Sequence, residues 1–171
     1  FWKIIVYNVG GCMEADVSLP ERAYYRLLNM LGKEETGKNQ GPIVDWAIKS
    51  STKKKADKTG WASWCAGAVC TAYLEAGSAQ IKKVASLSAG TLFLNLKELG
   101  QVKKRSQSTS TDFQMGDIIF FWDSEENIHH VGLVASYEAQ KSMMNTLEGY
   151  HNNSVAFSER TEWYAIGKII F

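Results

Sequence analysis

Apolar positions recur three and four residues apart in the first part of the chain and alternate in the last part. Tyr24, Leu27, Leu28 and Leu31 share one helical face, and Gly32 closes that run. It begins at Ser18-Leu19-Pro20-Glu21, a capping-box pattern with proline tolerated in the first turn. Ile43, Val44, Trp46, Ala47 and Ile48 predict a short second helix after the polar turn Gly37-Lys38-Asn39-Gln40-Gly41-Pro42. Residues 49–60 are charged and weakly patterned, as in a surface loop. A third helix is expected between Ser63 as N-cap and Gly77 as stop. A fourth, within 88–100, carries Leu92, Phe93, Leu96 and Leu99 on one face. Residues 103–112 are basic, then rich in Ser and Thr, and read as a loop.

Beyond that loop the period changes. Residues 118–122, 130–137, 143–147, 154–158 and 165–171 are short β-rich runs divided by polar or glycine-containing breaks. Helices first and strands after predict an α+β domain with an antiparallel sheet. No internal repeat or linker divides the chain, so 18–171 is expected to be one domain, with 1–17 as an N-terminal extension.

The totals narrow the function classes. A length of 171 residues suffices for a sizeable core. A net charge of +1 does not suggest a nucleic-acid partner. The clusters Lys53-Lys54-Lys55 and Lys103-Lys104-Arg105 read as solvated loop charge. No run reaches transmembrane length. The run from Phe1 to Tyr7, followed by Val9-Gly10-Gly11-Cys12, has the order of a lipoprotein signal end. Its apolar part is short, and a strand or an expression remnant fits better.

The three cysteines, Cys12, Cys65 and Cys70, have no metal-ligand spacing. Cys65 is different in kind from Cys70. It falls in the first turn of the third predicted helix, where unpaired N–H groups and the dipole favour a thiolate. Cys70, five residues on, reads as a small core filler. A nucleophilic thiol needs a base. All three histidines, His129, His130 and His151, lie in the strand half. Alternation puts Val131, Leu133 and Ala135 on one side of their strand and His130, Gly132 and Val134 on the other. His130 at the strand head is placed to meet a helix-start cysteine where helix and sheet pack, although His129 beside it leaves the assignment ambiguous. Glu148, in Thr146-Leu147-Glu148-Gly149, is a natural third member to hold the imidazole, and equally a solvated turn residue. A metal set of His129, His130 and Glu148 is disfavoured, because adjacent strand residues point to opposite faces.

Four motifs stand in order: Trp64-Cys65-Ala66 opening a helix that ends in Glu75-Ala76-Gly77; Gly116-Asp117-Ile118-Ile119-Phe120-Phe121; His130-Val131-Gly132-Leu133-Val134; and Leu147-Glu148-Gly149. Together they resemble the CHAP family, the cysteine, histidine-dependent amidohydrolase/peptidases, from about residue 28 to the C-terminus. The resemblance implies a papain-like fold, with N-terminal helices packed on a C-terminal antiparallel sheet. It also implies hydrolysis of amide bonds in bacterial peptidoglycan, as in phage endolysins and autolysins. By position, Cys65 is the nucleophile, His130 the base and Glu148 its orienting partner. Where the family often has asparagine, two residues after the glutamate, this chain has Tyr150, with Asn152 and Asn153 just beyond. Calcium-binding relatives carry clustered aspartates before the cysteine. Only Asp45 and Asp57 stand nearby here, so neither a structural calcium nor any other metal or cofactor is expected.

The expected chemistry is a thioester acyl-enzyme route. The backbone N–H of Cys65 would supply half of an oxyanion hole. Asn39 or Gln40 would supply the other half, by positional analogy with papain-like enzymes. Trp61, Trp64, Trp122 and Tyr150 are candidates for a substrate groove, with core packing the expected role of at least two. The expected partner is bacterial peptidoglycan, met by a monomer acting at the cell wall after secretion, in the periplasm or on phage release. Two alternatives keep the fold. One is a secreted effector or toxin acting as deamidase or acyl transferase. The other is a non-catalytic wall-binding or virion module.

Overall fold

The computed structural model describes residues 17–50, 64–122 and 124–170. The expectations for 1–16, including Cys12, and for Lys53-Lys54-Lys55, Asp57, Trp61 and Ser63 lie outside the described residues.

The chain is α+β, as the change of period predicts. Helices α1 (Leu19–Leu28), α2 (Pro42–Ala47), α3 (Cys65–Glu75), α4 (Ile81–Val84) and α5 (Ala89–Glu98) precede every strand of the sheet. Six strands, β1 (Val102–Lys104), β2 (Ile118–Phe121), β3 (His130–Glu138), β4 (Met143–His151), β5 (Ser154–Arg160) and β6 (Ala165–Gly167), form one sheet in the order β1-β6-β2-β3-β4-β5. Every pairing is antiparallel.

Helix α3 is the hub. Every residue from Cys65 to Tyr73 is buried, so it has no solvent face and packs against α1, α2, β3 and β4. Two glycines allow the close approach. A Cβ at Gly67 would stand 2.6 Å from the Ala47 carbonyl oxygen at the end of α2. A Cβ at Gly149 on β4 would stand 2.7 Å from Ala68 Cβ and 2.9 Å from Trp64 Cζ3. The helix ends in a Schellman motif. Gly77, at φ +94°, donates to Leu74 O, and Ser78 donates to Tyr73 O.

The sheet buries both faces. Ile118, Phe120, Val131, Leu133 and Leu147 join the core beneath the helices. Ile119, Phe121, Val134, Met144, Ile166 and Trp163 form a second apolar cluster. The alternation expected in β3 is observed: Val131 and Leu133 lie in the first cluster and Val134 in the second.

Several boundaries differ from expectation. The capping box of α1 forms as predicted, but the helix stops at Leu28, and Leu31 is 42 % exposed beyond it. The N-cap of α3 is Trp64, and Cys65 is the first helical residue rather than the second. The one-turn helix α4 is too short to show a period. Part of the expected 103–112 loop is the edge strand β1, paired with β6. The last strand ends at Gly167. Strands β4 and β5 run longer than expected, to His151 and Arg160.

Candidate active site

The site lies where the start of α3 meets the head of β3. Cys65 Sγ is 3.9 Å from the carbonyl oxygen of His129, so the chain entering β3 passes directly beside the helix start. The thiol also interacts with the ring of His130, the first residue of β3, and that interaction raises the imidazole pKa. His130 Nε2 donates to Glu148 Oε2 at 2.7 Å, which leaves Nδ1 for the sulfur. The imidazole is held face-on by Phe121, its cross-strand partner, at 5.4 Å between centroids and 26° between planes. The structure thus brings Cys65, His130 and Glu148 together, with the imidazole hydrogen-bonded to the carboxylate and coupled to the thiol.

Glu148 corrects one expectation. It is neither at a strand end nor in a solvated turn; it lies inside β4 and is 0 % exposed. The turn comes later, at Asn152 and Asn153, whose φ values of +49° and +66° suit a two-residue hairpin loop. The register shifts between Glu148 and His151, and Tyr150, at φ +62°, sits in that bulge. A buried carboxylate needs donors, and Glu148 has them from three strands. Thr146 Oγ1 donates to Oε1 at 2.6 Å, Arg160 Nε to Oε1 at 2.9 Å and Arg160 Nη2 to Oε2 at 2.6 Å. His151 Nδ1 lies 3.5 Å from Oε2.

Charge follows from these contacts. Burial alone would push the Glu148 carboxyl up; donation from His130, Arg160 and Thr146 outweighs it and holds the group at about 2. Burial alone would push the His130 imidazole down; its bonds to Cys65 and Glu148 outweigh that and raise it to about 9. Near neutral pH the site therefore holds an imidazolium between a thiol group and a carboxylate, the arrangement that favours a thiolate. Cys70 is the opposite case. Burial pushes its thiol up to about 12, and it points to the Ser86 carbonyl at 3.7 Å.

The remaining candidates divide. His129 is exposed; its Nδ1 meets Asn127 O at 2.6 Å and its ring lies 3.8 Å from the indole of Trp122. That resolves the pair of histidines: His130 faces the thiol and His129 faces outward. Trp122 is 51 % exposed, at φ +138°, beside the site. Trp64 is 2 % exposed and belongs to the core, which corrects its expected place in a substrate groove. Its Nε1 donates to Glu35 Oε2 at 3.1 Å, and Tyr150 packs edge-on against it at 5.9 Å. Tyr150 is half-buried. Asn39, at φ +53°, and Gln40 form the turn before α2, closed by Gln40 N–H donating to Gly37 O and Thr36 N–H to Gln40 O. Gln40 is exposed and Asn39 half-buried.

Sequence reasoning missed Arg160, Thr146 and Phe121. The usable signal was strand parity: Thr146 and Glu148 share a face of β4, and Ser158 and Ala156 are their partners on β5, two and four residues before Arg160. Among the described residues, no group of three or more His, Cys, Asp or Glu is arranged to hold a metal, and no helix is long and apolar enough to cross a membrane. Comparison of the chain with family models, curated proteins and solved structures finds no match.

Proposed function

We propose that this chain is a cysteine amidohydrolase or peptidase of papain-like architecture and CHAP type, cleaving amide bonds in the peptide of bacterial peptidoglycan. One observation carries the catalytic reading: the His130 imidazole is hydrogen-bonded through Nε2 to the buried Glu148 carboxylate and is coupled to the Cys65 thiol at the start of α3. The papain-like reading is supported by a nucleophile at the start of a buried helix packed on an antiparallel sheet that carries its base. The choice of peptidoglycan rests on the ordered motifs shared with the CHAP family.

In the proposed reaction the Cys65 thiolate attacks the carbonyl carbon of the scissile amide. As the C–N bond breaks, His130 gives its proton to the leaving amine, and a thioester remains on Cys65. Water then attacks the thioester, His130 takes the water proton, and the acid is released with the thiolate restored. Glu148 holds the imidazole in one tautomer and supports its positive charge. The backbone N–H of Cys65, at the first position of α3, is assigned to the developing oxyanion.

The test is digestion of purified sacculi, followed by mass spectrometry of the soluble fragments. New amino termini, or lactoyl ends freed of peptide, support the reading and identify the bond. Sacculi bound without fragment release would instead support a non-catalytic wall-binding module. Intact sacculi with neither binding nor release would point to a different amide substrate for the same triad.

A further inference from the structure

We propose that Arg160 is a positioning residue of this site, locking the Glu148 carboxylate onto the base-bearing strand. The proposal rests on the cysteine-hydrolase reading above.

Glu148 has no contact with solvent, so both oxygens must be satisfied by protein. Among the described residues Arg160 alone reaches both, through Nε to Oε1 and Nη2 to Oε2. A two-pronged guanidinium fixes the carboxylate plane as well as its charge. The orientation matters because Oε2 is the oxygen that receives His130 Nε2. Ala156 and Ser158, opposite Glu148 and Thr146 on β5, are small and leave the guanidinium a path along that face.

Arg160 also reaches the base by a second route. Its guanidinium carbon sits 4.8 Å from the centroid of Phe121, the ring that stacks on His130. Imidazole and guanidinium thus share one aromatic ring and one carboxylate. The side chain of Arg160 is 31 % exposed, so its charge stays hydrated while its fork is engaged. The other groups facing Glu148 are His130 from β3 and Thr146 and His151 from β4, with Cys65 beyond His130. Without Arg160 the buried carboxylate would lose its one permanently charged neighbour, keep only the histidines and the Thr146 hydroxyl, and take up a proton at higher pH.

The experiment compares the full chain with R160Q and R160K. The ionisation of Glu148 is followed by carbon NMR of its carboxyl group, which needs no substrate. Turnover and KM on solubilised peptidoglycan are measured across pH. In the parent the carboxyl stays ionised down to about pH 2. In R160Q its midpoint is expected to rise by about one to three units, the usual effect of one close cation. Turnover should fall by roughly 10- to 100-fold with KM little changed, as a misplaced group costs rate rather than binding. The acid limb of the rate profile should move up with the carboxyl midpoint. R160K should restore most of the midpoint and only part of the turnover, since a lysine keeps the charge and loses the fork. An unmoved carboxyl midpoint in folded R160Q overturns the proposal. So does a rate loss matching only the unfolded fraction, with an unmoved pH profile. If R160Q does not fold, R160K against T146V decides: equal effects of the two on turnover overturn the role, because Thr146 supplies a bond without a fork. If the parent does not digest peptidoglycan, the peptidoglycan reading fails separately. The carboxyl titration, with the alkylation rate of Cys65 read by peptide mapping, still tests Arg160.

Discussion

Gly132 leaves the space that Glu148 fills: a Cβ at residue 132 would stand 2.8 Å from Glu148 Cγ and 3.0 Å from the Leu147 carbonyl oxygen. The glycine of the His-Val-Gly run and the glutamate of the Leu-Glu-Gly run are therefore one device, split between neighbouring strands β3 and β4. Backbone on one side and a carboxylate stem on the other leave no room for a methyl group to be absorbed without movement.

Gly132→Ala is thus expected to damage the site by displacing Glu148. Overpacking of this kind costs about 1–3 kcal/mol, and the group able to yield is the Glu148 side chain. Melting temperature should drop, and turnover should drop further than the loss of folded protein explains. Parallel calorimetry and steady-state hydrolysis check this. Parent-like turnover in the folded variant would mean that Glu148 is not held by that contact.

The two buried cysteines separate nucleophile from filler. Cys65→Ser should lose on the order of 10⁴-fold or more in turnover, as knockouts of a triad nucleophile do, with little change in melting temperature because the change is nearly isosteric. Cys70→Ser should keep turnover, since its thiol is held protonated by burial and faces the Ser86 carbonyl. Alkylation followed by peptide mapping should modify Cys65 and spare Cys70. Equal losses in the two serine variants would sink the assignment.

How much of this was legible follows from where each residue sits. Cys65 and His130 stand at the starts of a helix and a strand, and starts leave local marks: a change of period, a cap, a punctuating glycine. Order along the chain then pairs them. Glu148 was found by chemistry, but its setting was misread, because a charged residue before glycine looks like a turn when burial is invisible. Arg160 was not found. Its partner lies 12 residues back across a hairpin, and the register depends on a bulge at Tyr150 and on left-handed Asn152 and Asn153. Trp64 was misplaced for the converse reason: an indole suits a groove as well as a core, and only the contact with Gly149 decides.

Glu148→Gln should now be costly twice. Loss of the third triad member lowers turnover by as much as roughly 10⁴-fold in serine enzymes, and by less where the ion pair with a thiolate is already formed. The amide also removes the charge shared by His130 and Arg160. Losing a hydrogen bond to a charged partner costs about 1.5–3 kcal/mol, and the lower end is expected because Arg160 keeps some water. The Arg160 fork therefore predicts a measurable fall in melting temperature. An unchanged melting curve would contradict that.

Tyr150 tests the position where the resembling family often has asparagine. Its φ of +62° is a backbone state that tyrosine rarely adopts, and its ring packs edge-on against Trp64. Tyr150→Phe keeps that contact and should leave turnover near the parent value. Tyr150→Ala should raise KM more than it lowers kcat. A dead Tyr150→Phe variant would assign the hydroxyl a chemical role and overturn the reading of Tyr150 as a groove wall.

The pH dependence carries the sign of both shifts. His130 is raised from 6.5 to about 9, so the imidazolium is present below that value and is lost as pH rises through it. Protonation of the leaving amine needs that proton, so kcat/KM should fall along a basic limb near pH 9. Stability linked to His130 is complete below 6.5 and is lost as pH climbs to about 9. Glu148 is lowered from 4.5 to about 2, so its contribution is complete above 4.5 and is lost as pH falls to about 2. From this pair alone, melting temperature should be flat between about pH 4.5 and 6.5 and decline on both sides. Glu148→Gln removes a group that raises the imidazole, so its basic limb should lie below that of the parent. Rate profiles of the two proteins, with proton NMR of the His130 ring, decide it. A basic limb in Glu148→Gln at or above the parent's would show that the carboxylate does not support the imidazolium.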